Sequence, residues 1–250
     1  MTPTEIERAA AALLDARRRG AQIAAPGPAP ASTAEVYAIQ DAVAAELGAP
    51  DGWKVGAKTP TDTPTCAPLL KDHVISGPAR FTAGSMHMLG VEAEVAFRFG
   101  RDLPAAATVP DAAAVLDAIA SAHVVMEVVD TRLADWKSLD PLWTLTDNGM
   151  NKALVVGPAF EGWRDLDYDR QPVTMLANGK ALVDRIGGNT GGSPLRLLTW
   201  LAGHVVTARG GLRAGQVITT GSWGGLHFVE PGAEVVTTFP GLGETRVVFA

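Results

Sequence analysis

One cysteine, Cys66, stands alone in 250 residues, so the chain holds no internal disulfide and no CxxC metal or redox motif. No apolar run approaches the ~18–20 residues of a membrane-spanning helix, and the opening MTPTEIERAA lacks the basic-then-apolar order of a signal peptide. A cytoplasmic protein is expected. The net charge of −6 is offset by no long basic block, which argues against nucleic acid as a partner, and RRRG at 17–20 suits a helix C-terminus. The histidines (73, 87, 123, 204 and 227) are scattered, none at ligand spacing, so a zinc site is disfavoured. Internal repeats are absent, and no linker is long enough to separate autonomous domains.

What remains is a chain with 47% hydrophobic residues, long enough for a large core. Thr4 and Glu7 have capping-box spacing ahead of Ile6, Ala10, Leu13 and Leu14, with a stop at Gly20. After the connector AAPGPAPAS, Ser32 and Glu35 open a second helix whose apolar face is Val36, Ile39, Val43 and Leu47. The period then changes. Stretches 51–58, 91–100, 122–130, ALVVG, VTMLANGKALVDRI and TRVVFA read as strands, with Asn178-Gly179 as a type I′ hairpin turn. Helices are expected over 110–120 and from Ser193-Pro194 to about Arg209, and AGQVITTGS rises as a strand into the glycine-rich GSWGG. Helices first and hairpin strands later indicate an α+β fold around a mixed or antiparallel sheet.

Within VEAEVAFRFG, Glu92 and Glu94 share one strand face, while Val91, Ala93, Val95, Phe97 and Phe99 share the other. Their Cβ atoms lie roughly 6.5–7 Å apart, and two charges at that spacing repel by roughly 2–3 kcal/mol. A solvated face is the ordinary explanation. In HVVMEVVDTR, however, Glu127 interrupts an apolar run, and a buried carboxylate requires a partner. Arg98 or Arg132 would make it a structural ion pair. A divalent cation would serve instead, since three strand carboxylates are hard oxygen ligands suited to Mg²⁺ or Mn²⁺.

GWKVGAK, VEAEVAF, EVVDTRLADW, DNGMNKALVVG, SPLRLLTWLA and TTGSWGGL, taken in order, resemble the fumarylacetoacetate hydrolase superfamily over roughly residues 30–250. The most similar branch is that of the 2-keto-4-pentenoate (2-hydroxypentadienoate) hydratases and 2-oxo-3-hexenedioate decarboxylases. The resemblance implies a mixed β-roll core over 51–250, with residues 1–50 as an N-terminal helical region packed on it, in a homo-oligomer. It implies Glu92, Glu94 and Glu127 as ligands of one Mg²⁺ or Mn²⁺. That ion would chelate the C1 carboxylate and C2 oxygen of a 2-oxo acid and stabilise the adjoining enolate. Lys54 matches the family lysine, for proton transfer with a pKa lowered by the cation or for holding the carboxylate, with Lys58 as the lesser alternative. Ser222 after Gly221 would meet an oxyanion or water, Asp72 fits a family aspartate, and Asn148 and Trp223 would face the substrate.

The chain departs from the hydratase pattern around the substrate: PTCA (64–67) puts Thr65 where an acid is common, GMN follows Asn148, and Trp223 leads into GGLHF. The leading expectation is hydration of a 2-hydroxy-2,4-dienoate to a 4-hydroxy-2-oxo acid. The alternative ending of the same chemistry is decarboxylation of a vinylogous 2-oxo diacid, with Arg185 or Arg196 for the distal carboxylate, or acylpyruvate-type C–C hydrolysis. A non-catalytic partner subunit is the minority reading.

Overall fold

The computed structural model describes residues 1–250. Helix α1 spans Pro3–Arg19 and begins two residues ahead of the expected start. Thr2, not Thr4, is the cap: its Oγ1 accepts from the Glu5 N–H, and the Glu5 carboxylate accepts from the Thr2 N–H at 2.7 Å. Pro3 at the first helical position needs no donor partner and carries a helical φ, which makes the earlier start favourable. Helix α2 (Thr33–Leu47) starts as expected, with Ser32 Oγ accepting from the Glu35 N–H. The two helices bury Leu13, Leu14, Ile39 and Val43 against Leu133 and Trp143. Each such side chain contributes about 1.5–3 kcal/mol relative to exposure. No helix is long and apolar enough to cross a membrane.

The strands form two main sheets and a small two-stranded one that pairs Leu103–Pro104 with Gly211–Leu212. The larger runs, edge to edge, Thr65–Leu69, Gly52–Gly56, Val217–Ser222, Gly90–Phe99, Ile119–Val129, Asn151–Val156 and Val74–Ser76, with His227–Phe228 pairing the far end of Gly90–Phe99. Gly52–Gly56 lies parallel to Val217–Ser222, and Val74–Ser76 lies parallel to Asn151–Val156, while the central pairings are antiparallel. The second sheet contains the expected hairpin of Pro172–Ala177 and Lys180–Ile186, continuing through Glu234–Phe239 and Gly243–Phe249 to Ala79–Phe81. Asn178 (φ 48) and Gly179 (φ 78) are both left-handed, as a type I′ turn requires. The mixed sheets and N-terminal helices are those expected from the sequence.

The main core lies between the sheets. Val91, Ala93, Val95, Phe97 and Phe99 meet Val124, Met126 and Val128 there, along with Met175, Val235, Val247 and Phe249 of the second sheet. The opposite face of the larger sheet is buried too, by a smaller cluster of Leu69, Ala96, Val125, Leu154 and Val217. Glu94 therefore projects from a covered face, and Glu92, farther along the strand, is half-buried. The helix expected over 110–120 is only Ala112–Asp117, because the Ile119–Val129 strand claims the residues that follow. The helix Pro194–Ala208 matches its expected limits.

One irregularity sits at the sheet's centre. Thr219 pairs with Ala96 but Ser222 pairs with Glu94, so Val217–Ser222 carries one extra residue there. Gly221, at φ 87, takes the left-handed conformation that the bulge demands.

Candidate metal and substrate site

Glu92 and Glu127 are direct cross-strand partners, and Glu94 lies two residues along the same face. Ligand oxygens of all three lie within 4.8 Å of one another. Like charges set opposite each other on a sheet are destabilising, the more so when buried. Glu127 is fully buried, and its Oε1 accepts from Lys54 Nζ at 2.5 Å and from Asn151 Nδ2 at 2.8 Å. Its Oε2 is buried with no donor at all. Glu94 Oε2 accepts from Thr219 Oγ1 and from the Gly221 N–H at 3.1 Å, so the bulge supplies one of its two donors. Lys54 is the only cationic side chain on the cluster, and its Nζ also donates to Gly149 O at 3.0 Å.

The protonation states follow from this crowding. Burial, then the Glu127 charge, pushes Glu92 up to about 7 despite Lys54 and a hydrogen bond from Ser222. Burial, then Glu127 and Glu92, pushes Glu94 up to about 8. Burial acts against the Lys54 ammonium, but Glu127, Glu92 and Glu94 outweigh it and hold its pKa above the ordinary value. The expected lowering of the Lys54 pKa is thus opposed by the chain's own charges.

An orphaned buried carboxylate oxygen, three converging hard oxygen donors and a single countercharge fit a divalent cation of the Mg²⁺ or Mn²⁺ kind. Carboxylates ligate in the ionised form, so binding here releases protons. Apparent Mn²⁺ affinity is expected to climb with pH up to about 8, by roughly tenfold per unit for each proton displaced. Calorimetry in buffers of different ionisation enthalpy measures both the slope and the protons released. Stability without metal runs the other way. Unfolded carboxylates ionise near 4.5 and these two near 7 and 8, so the native state holds more protons between those values. Metal-free stability therefore falls as pH rises through that window.

The neighbouring side chains divide clearly. Lys54 and Ser222 come to the cluster. Ser222 pairs with Glu94, and its Oγ accepts from the Gly225 N–H at 2.9 Å. Trp223 does not. It is fully buried, with its ring edge-on to Phe239 at 5.3 Å and its indole N–H unpartnered, while its backbone N–H donates to Ala93 O. The expectation that Trp223 faces substrate is corrected. The Asn148 side chain is not brought to the cluster either: its Oδ1 accepts from Arg17 at 2.9 Å and its Nδ2 donates to Pro68 O at 3.0 Å. Asp72 lies exposed in the turn after Thr65–Leu69, at φ 64, with its own N–H on the Asp51 carboxylate. Lys58 is exposed beyond the end of its strand, and Thr65 is half-buried opposite Gly56.

Neither arginine suggested for Glu127 pairs with it. Arg98 donates to Gly215 O at 2.8 Å, and Arg132 holds Asp147 at 2.7 Å. Arg185 is exposed on the hairpin, whereas half-buried Arg196 donates to Gly191 O at 2.9 Å. That glycine's loop is tied to the bulge through Asn189, which donates to Thr220 O at 2.8 Å. The sequence reading missed Asn151 and Thr219. Each had a signal: Asn151 is a polar residue opening an apolar strand, and Thr219 precedes the glycine-serine turn with Glu94's face parity.

Known proteins resemble this chain along most of its length. A family model described as fumarylacetoacetate (FAA) hydrolase C-terminal matches residues 47–250. A 2-keto-4-pentenoate hydratase of Burkholderia vietnamiensis is 34% identical over 160 residues, covering 64% of this chain; the match spans 60% of that relative's length. The 2-keto-4-pentenoate hydratase of Paraburkholderia xenovorans is 30% identical over 190 residues, covering 75% of this chain and 69% of its own. Among solved structures, 4-oxalocrotonate decarboxylase from Pseudomonas putida G7, complexed with magnesium and adipate, superposes with a TM-score of 0.85. It covers 100% of this chain and 99% of its own at 20% identity. A fumarylpyruvate hydrolase from Pseudomonas aeruginosa, in complex with Mn²⁺ and pyruvate, gives a TM-score of 0.55 at 17% identity, covering 79% and 88%. These structural likenesses show the fold.

Proposed function

Since the chain belongs to the fumarylacetoacetate hydrolase C-terminal family, we propose that it is a divalent-metal-dependent hydro-lyase adding water to a 2-hydroxy-2,4-dienoate to give a 4-hydroxy-2-oxo acid. The observation that carries this reading is the convergence of Glu92, Glu94 and Glu127 beside Lys54. It is supported by relatives named as 2-keto-4-pentenoate hydratases and by fold neighbours solved with magnesium, calcium and Mn²⁺. On the family resemblance the reading extends to a cytoplasmic homo-oligomer. Residues 1–50 and the sheet core act in it as one unit, consistent with Arg17 of α1 reaching Asp147.

Glu92, Glu94 and Glu127 would hold the cation, which when bound supplies Lewis-acid stabilisation of negative charge on substrate oxygens. Lys54 Nζ carries three protons: one goes to Glu127 and one to Gly149 O, leaving one to anchor a substrate carboxylate or to serve a proton transfer. Ser222 Oγ accepts from Gly225 and keeps its O–H as a donor toward the acid side of the site. Thr219 and the Gly221 N–H fix the orientation of Glu94, and Asn151 fixes that of Glu127.

The test supplies Mn²⁺ and 2-hydroxypenta-2,4-dienoate, follows loss of dienoate absorbance, and identifies the product by NMR. Appearance of the 4-hydroxy-2-oxo acid is expected, and Lys54→Gln should lower kcat by roughly 100-fold or more. No turnover of the dienoate, with carbon dioxide released from a vinylogous 2-oxo diacid, would replace hydration by decarboxylation. One observation favours that second reading: Arg196, in the first turn of the Pro194–Ala208 helix, donates to the loop tied to the bulge and keeps its Nε buried and unpartnered, as a cation for a distal carboxylate.

A further inference from the structure

A second polar cavity, of about 240 Å³, lies between the C-terminal turn of α1 and the ends of Ile119–Val129 and Asn151–Val156. It shares no lining residue with the carboxylate cluster. Along Asn151–Val156 successive side chains alternate faces, so Asn151 reaches Glu127 while Lys152 points to this cavity. Arg17, Arg132, Lys152 and His73 line it, against a single acid, Asp130. Asp130 Oδ1 is already taken by the His87 and Met88 N–H groups, each at 3.0 Å. We propose that this cavity is a binding site for a small anion, a phosphate or the carboxylate of an organic acid.

Three observations carry it. First, the cations exceed the charge that faces them. Asp147 serves both Arg17 and Arg132, and Lys152 has no side-chain hydrogen bond or ion pair. Second, a donor is left over: Arg17 Nε is buried with no partner, and the equally unpartnered His73 Nδ1 becomes a second donor in its Nδ1–H tautomer. Buried donors of this kind cost free energy until something accepts from them. Third, positive potential is concentrated there. Burial and the neighbouring Arg132 bring Arg17 down to about 9, and burial with Arg17, Arg132 and Lys152 brings His73 down to about 4. An anion in the cavity satisfies the donors and relieves the repulsion together. Arg17 also links the cavity to the turn beside the metal ligands, since its Nη2 holds Asp147 and Asn148, and the next carbonyl, Gly149 O, accepts from Lys54.

The proposal is independent of the activity assigned above and is tested without it. The full-length, metal-stripped protein is titrated calorimetrically with inorganic phosphate and, separately, with succinate. One-site saturable binding of at least one probe below about 10 mM is expected. Whichever probe saturates identifies the anion source, phosphate or carboxylate. Lys152→Met, which removes no internal partner, should weaken binding roughly tenfold or more. Glu94→Gln should leave it unchanged, which separates failure here from failure of the metal site. Saturation by neither probe would overturn the proposal. So would parental affinity in both Lys152→Met and Arg17→Gln, or loss of binding in Glu94→Gln.

Discussion

Glu94→Gln is expected to abolish saturable Mn²⁺ binding and turnover while leaving the metal-free protein at least as stable as the parent. The two effects have one cause. With its pKa pushed up to about 8, Glu94 is mostly protonated near neutrality, and glutamine is close to that form in shape and charge. The glutamine carbonyl can still accept from Thr219 Oγ1 and the Gly221 N–H, so no donor is orphaned. Removing an acid from a trio held within 4.8 Å also relieves repulsion that the metal-free protein otherwise carries. For the cation the change is severe, because an ionised ligand is lost outright. Loss of an outer partner alone costs 10–100-fold in metal affinity, so a lost ligand should cost more than about 100-fold. Calorimetry gives the affinity, and thermal unfolding with and without Mn²⁺ gives the stability. The parent should gain several degrees on adding metal and the variant none. A variant that still binds Mn²⁺ at parental affinity would remove Glu94 from the site.

Asp147→Asn should act in the opposite sense, unfolding the protein readily without touching a metal ligand. The buried Asp147 carboxylate accepts from Arg132 Nε at 2.7 Å, from the Arg132 N–H at 2.9 Å, from Thr131 Oγ1 at 3.0 Å and from Arg17 at 3.0 Å. Asparagine offers one acceptor oxygen where four donors converge, and turns an amide donor on the rest. Two arginines lose their countercharge in a buried setting. Breaking one side of such a pair costs about 3–5 kcal/mol, which for a chain of this size lowers Tm by roughly 6–20 °C. Thermal and urea unfolding check it. A loss under about 1 kcal/mol would mean the guanidinium groups find other partners.

How far the sequence could be read depended on the kind of signal. The period-2 alternation of VEAEVAFRFG placed Val91 to Phe99 in the core and both glutamates on the other face, because one face buried fixes the register of a strand. Glu127 stood out because a lone acid in an apolar run must meet something. What it meets directly, Lys54, was not the arginine first considered, since a parallel pairing between strands far apart in the chain leaves no mark on local pattern. The capping box slipped by two residues because Thr2 and Thr4 offer similar chemistry, and Pro3 decides between them. The roles of Asp147 and Asn148 as a structural anchor rest on Arg17, contributed by a helix 130 residues away in sequence. No motif encodes that contact.

The bulge at Gly221 makes the site a matter of counting. In a regular ladder continuing from Thr219 opposite Ala96, Gly221 would face Glu94, Ser222 would fall on the core side, and Trp223 would turn toward the acids. One supernumerary residue exchanges hydroxyl for indole. A single-residue deletion between Thr219 and Ser222 would leave Ser222 opposite Glu94 and Trp223 toward the core, but it would flatten the bulge and with it remove the Gly221 N–H from which Glu94 accepts. Homologues that keep this chemistry should therefore hold the spacing between this threonine and serine fixed even where the residues themselves differ, because the extra residue supplies a backbone donor that no side chain replaces.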